Sequence, residues 1–219
     1  MLADFDTAAL LRSLPFLWSG MLLTLQLTAM AVFGGLSLGL VLAVMRLSTV
    51  KPLAWAAAAY VNFLRSMPLI LVIFWFYTLV PRIIGRSVSG FDSVLIAFIM
   101  FEAAYYSEII RAGISSVRRG QIAAAMALGL THIQAMRYVV LPQAIRNMIP
   151  VLLSQSILMF QDTSLVYVVG LRDFLTSADI VASRDYRPIE MYLTVALVFL
   201  VVCFSASRLV NLLRRRYAL

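Results

Sequence analysis

Residues 13–45 read SLPFLWSGMLLTLQLTAMAVFGGLSLGLVLAVM and contain no charged residue. The part from Met21 to Met45 is by itself long enough to cross a hydrocarbon core of about 30 Å, because an α-helix rises about 1.5 Å per residue. The chain has 219 residues, of which 63% are hydrophobic and 13% charged, whereas soluble domains carry about 25% charged residues. The sequence therefore predicts an all-α integral membrane protein in which residues 1–219 form one membrane domain.

Four further apolar segments predict four more transmembrane helices, which gives five in total. They are Leu53–Val80 with Arg65 inside it, Ser93–Ile110 with Glu102 and Glu108, Asn147–Leu171 with Asp162, and Met191–Ser207. We expect Pro68 to disturb the second span, because proline lacks the N–H that the helix ladder requires. An odd number of spans places the two termini on opposite sides of the membrane.

Lys and Arg predict the orientation, because cytoplasmic loops carry an excess of these residues. With the N-terminus outside, the inner segments hold eleven Lys and Arg and no Asp or Glu. The outer segments then hold six Lys and Arg together with seven acids, Asp4 among them. The sequence predicts an N-terminus outside and a C-terminus inside. The net charge of +8 is then explained by orientation in a lipid membrane, and no nucleic-acid partner is expected.

A long basic insert separates the third and fourth spans on the cytoplasmic side. Its core at 123–142 reads AAAMALGLTHIQAMRYVVLP, which predicts a helix, a turn at Gly129 and a second helix that begins or kinks at Pro142. Ala124, Ala127 and Leu128 share one face of the first helix, which suits the groove of a partner protein. The alternative is an amphipathic helix that lies on lipid headgroups and is held by its arginines.

Part of this insert resembles the loop of ABC-transporter permeases that is written E-A-A-x3-G-x9-I-x-L-P. Gly129, Leu141 and Pro142 stand at matching positions, while Val139 replaces the usual Ile and Ala123 replaces the leading Glu. Outside the loop, the stretches AYYSEIIRAGISSVRRGQ, LPQAIRNMIP and QDTSLVYVVGL are similar to the polar amino-acid uptake permeases of bacteria. The likeness is greatest to a permease subunit of the glutamate/aspartate importers and covers nearly the whole chain.

The resemblance implies a fold and a set of partners. The fold is five transmembrane helices in the bacterial inner membrane, paired with a second homologous permease subunit. The loop is a cytoplasmic coupling helix that docks on one of two ATPase subunits, which bind ATP and Mg, and a periplasmic amino-acid-binding protein delivers the substrate. The coupling contacts implied for this chain are Ala123, Ala124, Ala125, Gly129, Leu130, His132, Leu141 and Pro142.

The chain itself is not expected to be an enzyme or to bind a cofactor. It contains no Gly-x4-Gly-Lys-[Ser/Thr] sequence, which is the motif that cradles nucleotide phosphates. His132 has no Cys or second His near it, so no metal site is predicted.

Charged and polar residues at membrane depth are the candidates for a substrate path, because a charge at the bilayer centre costs about 2.5–3.5 kcal/mol on the insertion scale. Arg65 suits an acidic substrate; the alternative is a structural salt bridge, to Asp162 or to a partner chain. Glu108 either lines the path or pairs with Arg111 one turn later. The full set of candidates is Arg65, Glu102, Glu108, Gln161, Asp162, Thr163 and Ser164.

Two of these candidates have a second interpretation. Glu102 either forms a hydrogen bond across the subunit interface or lines the path. Asp162 either lines the path or caps a second half-helix, as Asp readily does.

Together these patterns predict the permease subunit of an ATP-driven importer of L-glutamate and L-aspartate. Glutamine, histidine or arginine stays an alternative substrate, because the acids inside the spans would also serve a cationic amino acid. An ion-coupled secondary transporter is disfavoured because no internal repeat is visible. A membrane scaffold without transport activity does not explain the charges inside the spans.

Overall fold

The computed structural model describes residues 6–217, with side chains as far as Arg215. Asp4 and the side chain of Arg216, which contribute to the charge balance, lie outside the described residues. The described part contains only helices and the turns between them: α1 Thr7–Leu47, α2 Lys51–Arg65, α3 Leu69–Phe74, α4 Val80–Ile84, α5 Gly90–Ser115, α6 Arg119–Ala127, α7 His132–Ala135, α8 Leu141–Asp162, α9 Phe174–Asp185 and α10 Pro188–Tyr217.

Within this part of the chain, four helical segments are long and apolar enough to cross a membrane: Thr7–Leu47, Gly90–Ser115, His132–Val169 and Pro188–Arg215. The predicted second span is different. Helix α2 and the segment Leu69–Ile84 pass the same test only as a pair, and they are bent by 106° at their junction. The break ends at Pro68, the residue that precedes α3. The all-helical fold is confirmed for the described residues, and the second span is a broken one.

Prolines also explain two π-helical turns in the chain. The turns Trp75–Leu79 and Met136–Val140 each stand directly before a helix whose second residue is proline, Pro81 or Pro142. A proline ring clashes with the carbonyl four residues earlier, and the wider π turn relieves this clash. At the second turn the N–H of Leu141 accordingly bonds to the carbonyl of Met136. The helix therefore bends around Pro142 instead of ending there.

The core of the fold is the packing of α1 against α5. Small residues recur at every fourth position of α1 and are buried: Ala31, Gly35, Gly39 and Ala43. A Cβ atom added to Gly35 would lie 2.7 Å from the Cβ of Glu102, and one added to Gly39 would lie 2.9 Å from the carbonyl oxygen of Ala103. Both distances are shorter than a van der Waals contact. The absence of side chains at these glycines is therefore what lets the two backbones approach.

Helix α9 is anchored to the first span by polar contacts. The hydroxyl of Thr24 accepts a hydrogen bond from the N–H of Phe174 at 3.1 Å. The carboxylate of Asp173 caps α9 by accepting the N–H groups of Leu175 at 3.1 Å and Thr176 at 3.0 Å. Burial raises the pKa of Asp173, although these hydrogen bonds oppose the shift. The cap fixes α9 between the fourth and fifth spans.

We expect Gly39→Ala to destabilise the protein by about 1–3 kcal/mol, because the new methyl group forces α1 and α5 apart. The midpoint of thermal unfolding of the purified complex measures this loss. Gly120→Ala in α6 is the matched control, because a Cβ atom there has no heavy atom within 4 Å. Equal midpoints for the two variants would show that the close packing of α1 on α5 does not limit stability.

Candidate functional site

Arginines from three helices converge on the carboxylate of Glu108. Arg46, near the end of α1, donates a hydrogen bond to Oε2 at 2.5 Å, and Arg111, one turn further along α5, donates to both oxygens. The Nη1 atom of Arg65, at the end of α2, lies 3.7 Å from Oε2. This group of four residues, called the Glu108 cluster below, joins α1, α2 and α5. Three guanidinium groups face one carboxylate, so positive charge is in excess.

Arg65 has an ion-pair partner within the chain, but not the expected one. Its partner within the described residues is Glu108, so the proposed pair with Asp162 is wrong. The reason is that α2 ends at Arg65 beside α5, where the guanidinium also lies 5.4 Å from the centre of the Tyr105 ring. The expected pair of Glu108 with Arg111 is present. Arg65 is the loosest member of the cluster, because its contact of 3.7 Å with Glu108 is longer than the direct contacts of Arg46 and Arg111.

Glu102 lies in a buried polar seam between α5 and α8. It is 0% exposed, and its Oε1 atom accepts a hydrogen bond from Nε2 of Gln155 at 3.0 Å. Its Oε2 atom is buried without a hydrogen-bond partner among the described residues. One turn later, the hydroxyls of Tyr106 and Ser156 lie 3.0 Å apart. Because its own chain covers Glu102 in this conformation, neither a partner subunit nor a substrate reaches the side chain unless α5 and α8 move apart.

The segment Gln161–Ser164 lies where α8 changes into a 3-10 helix that covers Thr163–Val169. The Thr163 hydroxyl donates to the carbonyl of Phe160 at 2.6 Å, and the Ser164 hydroxyl donates to the carbonyl of Gln161 at 2.8 Å. These two hydroxyls are therefore engaged by the backbone. Asp162 forms no capping hydrogen bond with the 3-10 turn, so the capping interpretation is wrong. A 3-10 segment is common at the C-terminal end of an α-helix, and this one ends at Gly170.

The insert between α5 and α8 folds as two short helices joined at Gly129, as the sequence predicts. Gly129 has a φ of 87°, in the left-handed region that favours glycine. Its N–H bonds to the carbonyl of Met126 at 3.0 Å, and the N–H of Leu130 bonds to that of Ala125 at 3.2 Å. This is a Schellman motif, which satisfies the last carbonyls of α6.

The surface of the insert is apolar and exposed. Leu128 is 83% and Ile133 is 78% exposed, and exposed apolar patches of this kind mark interaction sites. Leu128 belongs to the face that the sequence predicts for a partner's groove, whereas Ile133 was not among the predicted contacts. The expected contact at Ala125 is wrong, because this residue is buried by its own chain. The other predicted contacts are exposed or half-buried, namely Ala123, Ala124, Gly129, Leu130, His132, Leu141 and Pro142.

Several residues of these groups were not indicated by sequence patterns. Gln155 precedes Asp162 by two turns of α8 and so shares its face, and this spacing is the signal that could have linked Gln155 to the polar residues. In the sequence, Arg46 served only to predict the orientation of the chain in the membrane. Nothing local brings it to Glu108, which lies 62 positions away.

Known proteins match this chain over nearly its whole length. Residues 35–219 match the family of the binding-protein-dependent transport system inner membrane component. The chain is 50% identical to the glutamate/aspartate import permease protein GltK of Escherichia coli O6:H1, over 98% of this chain and 99% of that protein. It is 39% identical to the probable glutamine ABC transporter permease protein GlnM of Bacillus subtilis, over 88% of this chain and 89% of that protein.

A solved structure extends the likeness to three dimensions. The crystal structure of an amino acid ABC transporter with histidines matches with a TM-score of 0.91 and 37% identity, over 96% of this chain and 98% of that chain. The predicted resemblance to amino-acid ABC permeases is confirmed. The protein is a multi-pass protein of the inner membrane, and it belongs to the family of inner-membrane components of binding-protein-dependent transport systems.

Proposed function

We propose that this chain forms part of the translocation path of an ATP-driven importer of L-glutamate and L-aspartate. The observation that carries this proposal is the 50% identity, over 98% of the chain, to a glutamate/aspartate import permease. Identity to the probable glutamine permease is 39%, which favours an acidic substrate over the alternatives. The family favours a transporter that depends on a binding protein over an ion-coupled one.

The proposed partners follow from the family. A periplasmic binding protein delivers the amino acid, and a second homologous permease subunit completes the path. Two cytoplasmic ATPase subunits bind ATP and Mg and hydrolyse the nucleotide, so this chain is the translocation subunit and not the enzyme. Residues 1–219 act as one membrane domain. The exposed apolar surface of the insert, centred on Leu128 and Ile133, supports docking of an ATPase subunit.

In the proposed orientation the N-terminus is outside and the insert and the C-terminus are cytoplasmic. The contact between Arg46 and Glu108 supports this arrangement, because it brings the ends of α1 and α5 to the same side of the molecule. Helices α1 and α5 thus run in the same direction. The basic residues beyond these two helix ends, such as Lys51 and Arg118, then belong to the same membrane face, as the excess of Lys and Arg in cytoplasmic loops requires.

The proposed path uses opposite charges for the two ends of the substrate. Arg65 is loosely held and available to the substrate, because the other two arginines of the Glu108 cluster already neutralise Glu108. In the proposed path Arg65 binds a carboxylate of the transported amino acid. Glu102 has one oxygen without a hydrogen-bond partner, which is costly for a buried polar atom. This oxygen binds the ammonium group of the substrate when α8 moves away from α5 and uncovers it. Glu108 then acts by holding arginines in place. Gln161 and Asp162 offer side chains at the 3-10 junction, while Thr163 and Ser164 shape the backbone there.

The orientation is tested by labelling single cysteines. Thr49→Cys, in the turn between α1 and α2, and Ser87→Cys, before α5, are placed one at a time in a Cys203→Ser background, since Cys203 is the only cysteine. Both positions are exposed. A membrane-impermeant maleimide added to intact spheroplasts should label Cys at 87 and not at 49. Labelling of both positions from outside would contradict the proposed topology.

The docking role is tested at Gly129. Gly129→Asp should abolish transport while the complex still inserts, because a charged residue with a Cβ atom strains the turn and disturbs an apolar interface. Gly85→Asp is the matched control: Gly85 also has a left-handed φ, of 67°, and open space around it, but it lies at the end of α4. Uptake by proteoliposomes and co-purification of the ATPase are the measurements. Normal uptake by a well-expressed Gly129→Asp protein would exclude docking at this turn.

The substrate contact is tested by Arg65→Gln. The complex should still assemble, because Arg46 and Arg111 keep Glu108 neutralised. Substrate-stimulated ATP hydrolysis and uptake of glutamate and aspartate should fall about tenfold to hundredfold, which corresponds to the loss of one charge-assisted hydrogen bond, and basal hydrolysis should persist.

Arg12→Gln removes the same charge near the start of α1, far from the Glu108 cluster, where Arg12 donates a hydrogen bond to the carbonyl of Ala8, and should leave uptake unchanged. Dissociation of the Arg65→Gln complex would show that Arg65 is needed for assembly and not for substrate binding. Unchanged uptake of both acids by a stable variant would place the counter-charge in the second permease subunit. Uptake of glutamine or arginine in preference to the two acids by the unaltered complex would reject the proposed substrate itself.

A further inference from the structure

A cavity of about 340 Å³ lies between the beginning of α8 and the end of α10. The transport path and the insert surface do not include it. Its polar lining consists of Arg146, Asn147, Ser154, Asn211 and Arg214. The remaining lining residues, Pro150, Val151 and Val210, are apolar. Its size is in the range of small-molecule sites in proteins.

A second, mostly apolar cavity lies next to the first, between the same two helices. It has a volume of about 230 Å³, shares Val210 with the first and is lined by side chains such as Ile157, Leu209 and Ala206. The groove between α8 and α10 therefore has a basic mouth at its end and an apolar interior further into the span. This is the polarity of a phospholipid, which has a charged phosphate and a long acyl chain.

The positive charge at the mouth has no acidic partner among the residues that the structure describes. Within the described residues, neither Arg146 nor Arg214 forms an ion pair with a carboxylate. The sequence has no Asp or Glu from Arg111 to Arg146 and none after Glu190. Guanidinium groups bind phosphates with two hydrogen bonds at once. Basic pockets between transmembrane helices bind the headgroups of anionic lipids.

We propose that this groove binds one anionic glycerophospholipid. Its phosphodiester lies between Arg146 and Arg214 and accepts hydrogen bonds from them and from the amide of Asn211. One acyl chain lies in the second, mostly apolar cavity between α8 and α10. The bound lipid braces the start of α8, which continues directly from the insert, against the last helix. The site thus depends on the place of the chain in the membrane and is independent of which amino acid is transported.

The test uses the purified transporter complex and dioleoylphosphatidylglycerol, with phosphatidylcholine as the neutral comparison, and counts the lipids retained in native mass spectra. The double variant Arg146→Gln/Arg214→Gln should lower the affinity for phosphatidylglycerol about 30-fold, since each arginine near the surface contributes about 1 kcal/mol. The variant Arg82→Gln/Arg86→Gln removes the same charge at and beyond α4 and should retain the lipid. Equal retention by both double variants would overturn the proposal.

A second variant separates a lipid from a soluble phosphate. Ala206→Phe fills the second cavity and leaves the arginines in place, so it should also reduce retention of phosphatidylglycerol about tenfold or more, as expected when a buried acyl segment is displaced. Unchanged retention by Ala206→Phe, together with displacement of the lipid by inorganic phosphate, would mean that only a phosphate binds. Dissociation of the permease subunits in Arg146→Gln/Arg214→Gln would mean that the groove is a subunit interface. Either result would refute the lipid site.

Discussion

The close approach of α1 and α5 is the constraint on which the other features of the structure depend. It is possible because Gly35 and Gly39 present no side chain to α5. Membrane helices gain little from the hydrophobic effect when they associate, so this packing relies on van der Waals contact at short distance. The approach has two consequences. Gly35 covers the side of Glu102 and helps to bury it, and the end of α1 brings Arg46 to Glu108.

In the Glu108 cluster, one carboxylate neutralises arginines from three helices. A guanidinium inside a span is costly when it is alone, and breaking a buried ion pair leaves an uncompensated charge that costs about 3–5 kcal/mol. Arg46 is nearly buried and in direct contact with Glu108, whereas Arg65 is more exposed and lies at 3.7 Å. Of these two arginines, Arg46 therefore contributes more to holding α1 on α5. Arg65 adds positive charge but contributes little to the packing of the helices. A residue of this kind is free to bind a substrate.

The sequence predicted the features that depend on local chemistry. The length of apolar segments predicted the spans, Pro68 predicted the break, and Gly129 with its flanking helix formers predicted the shape of the insert. Pairs that are distant in sequence were not predictable, because no local pattern brings Arg46 to Glu108 or Gln155 to Glu102. The interpretation of Asp162 as a cap was wrong for a related reason. The helix does not stop there but tightens into a 3-10 turn, and the choice between these outcomes depends on the tertiary packing around Thr163, which is buried.

The path from the insert to the polar seam is continuous in the backbone. Helix α7 passes through the π turn Met136–Val140 into α8 without a loop, so a force applied to the insert is carried along one helical rod. About four turns after Pro142, this rod carries Gln155, which bonds to Glu102, and it ends at Asp162, where the 3-10 segment begins. Under the proposed function, motion of the ATPase at Leu128 and Ile133 therefore reaches the Glu102 seam first and the 3-10 segment second. Helix α5 is held in place by its close packing on α1, because the glycines of α1 leave no space between the two helices. We therefore expect α8 to move against α5 at the contact of Gln155 with Glu102. One carboxylate oxygen of Glu102 lacks a partner there.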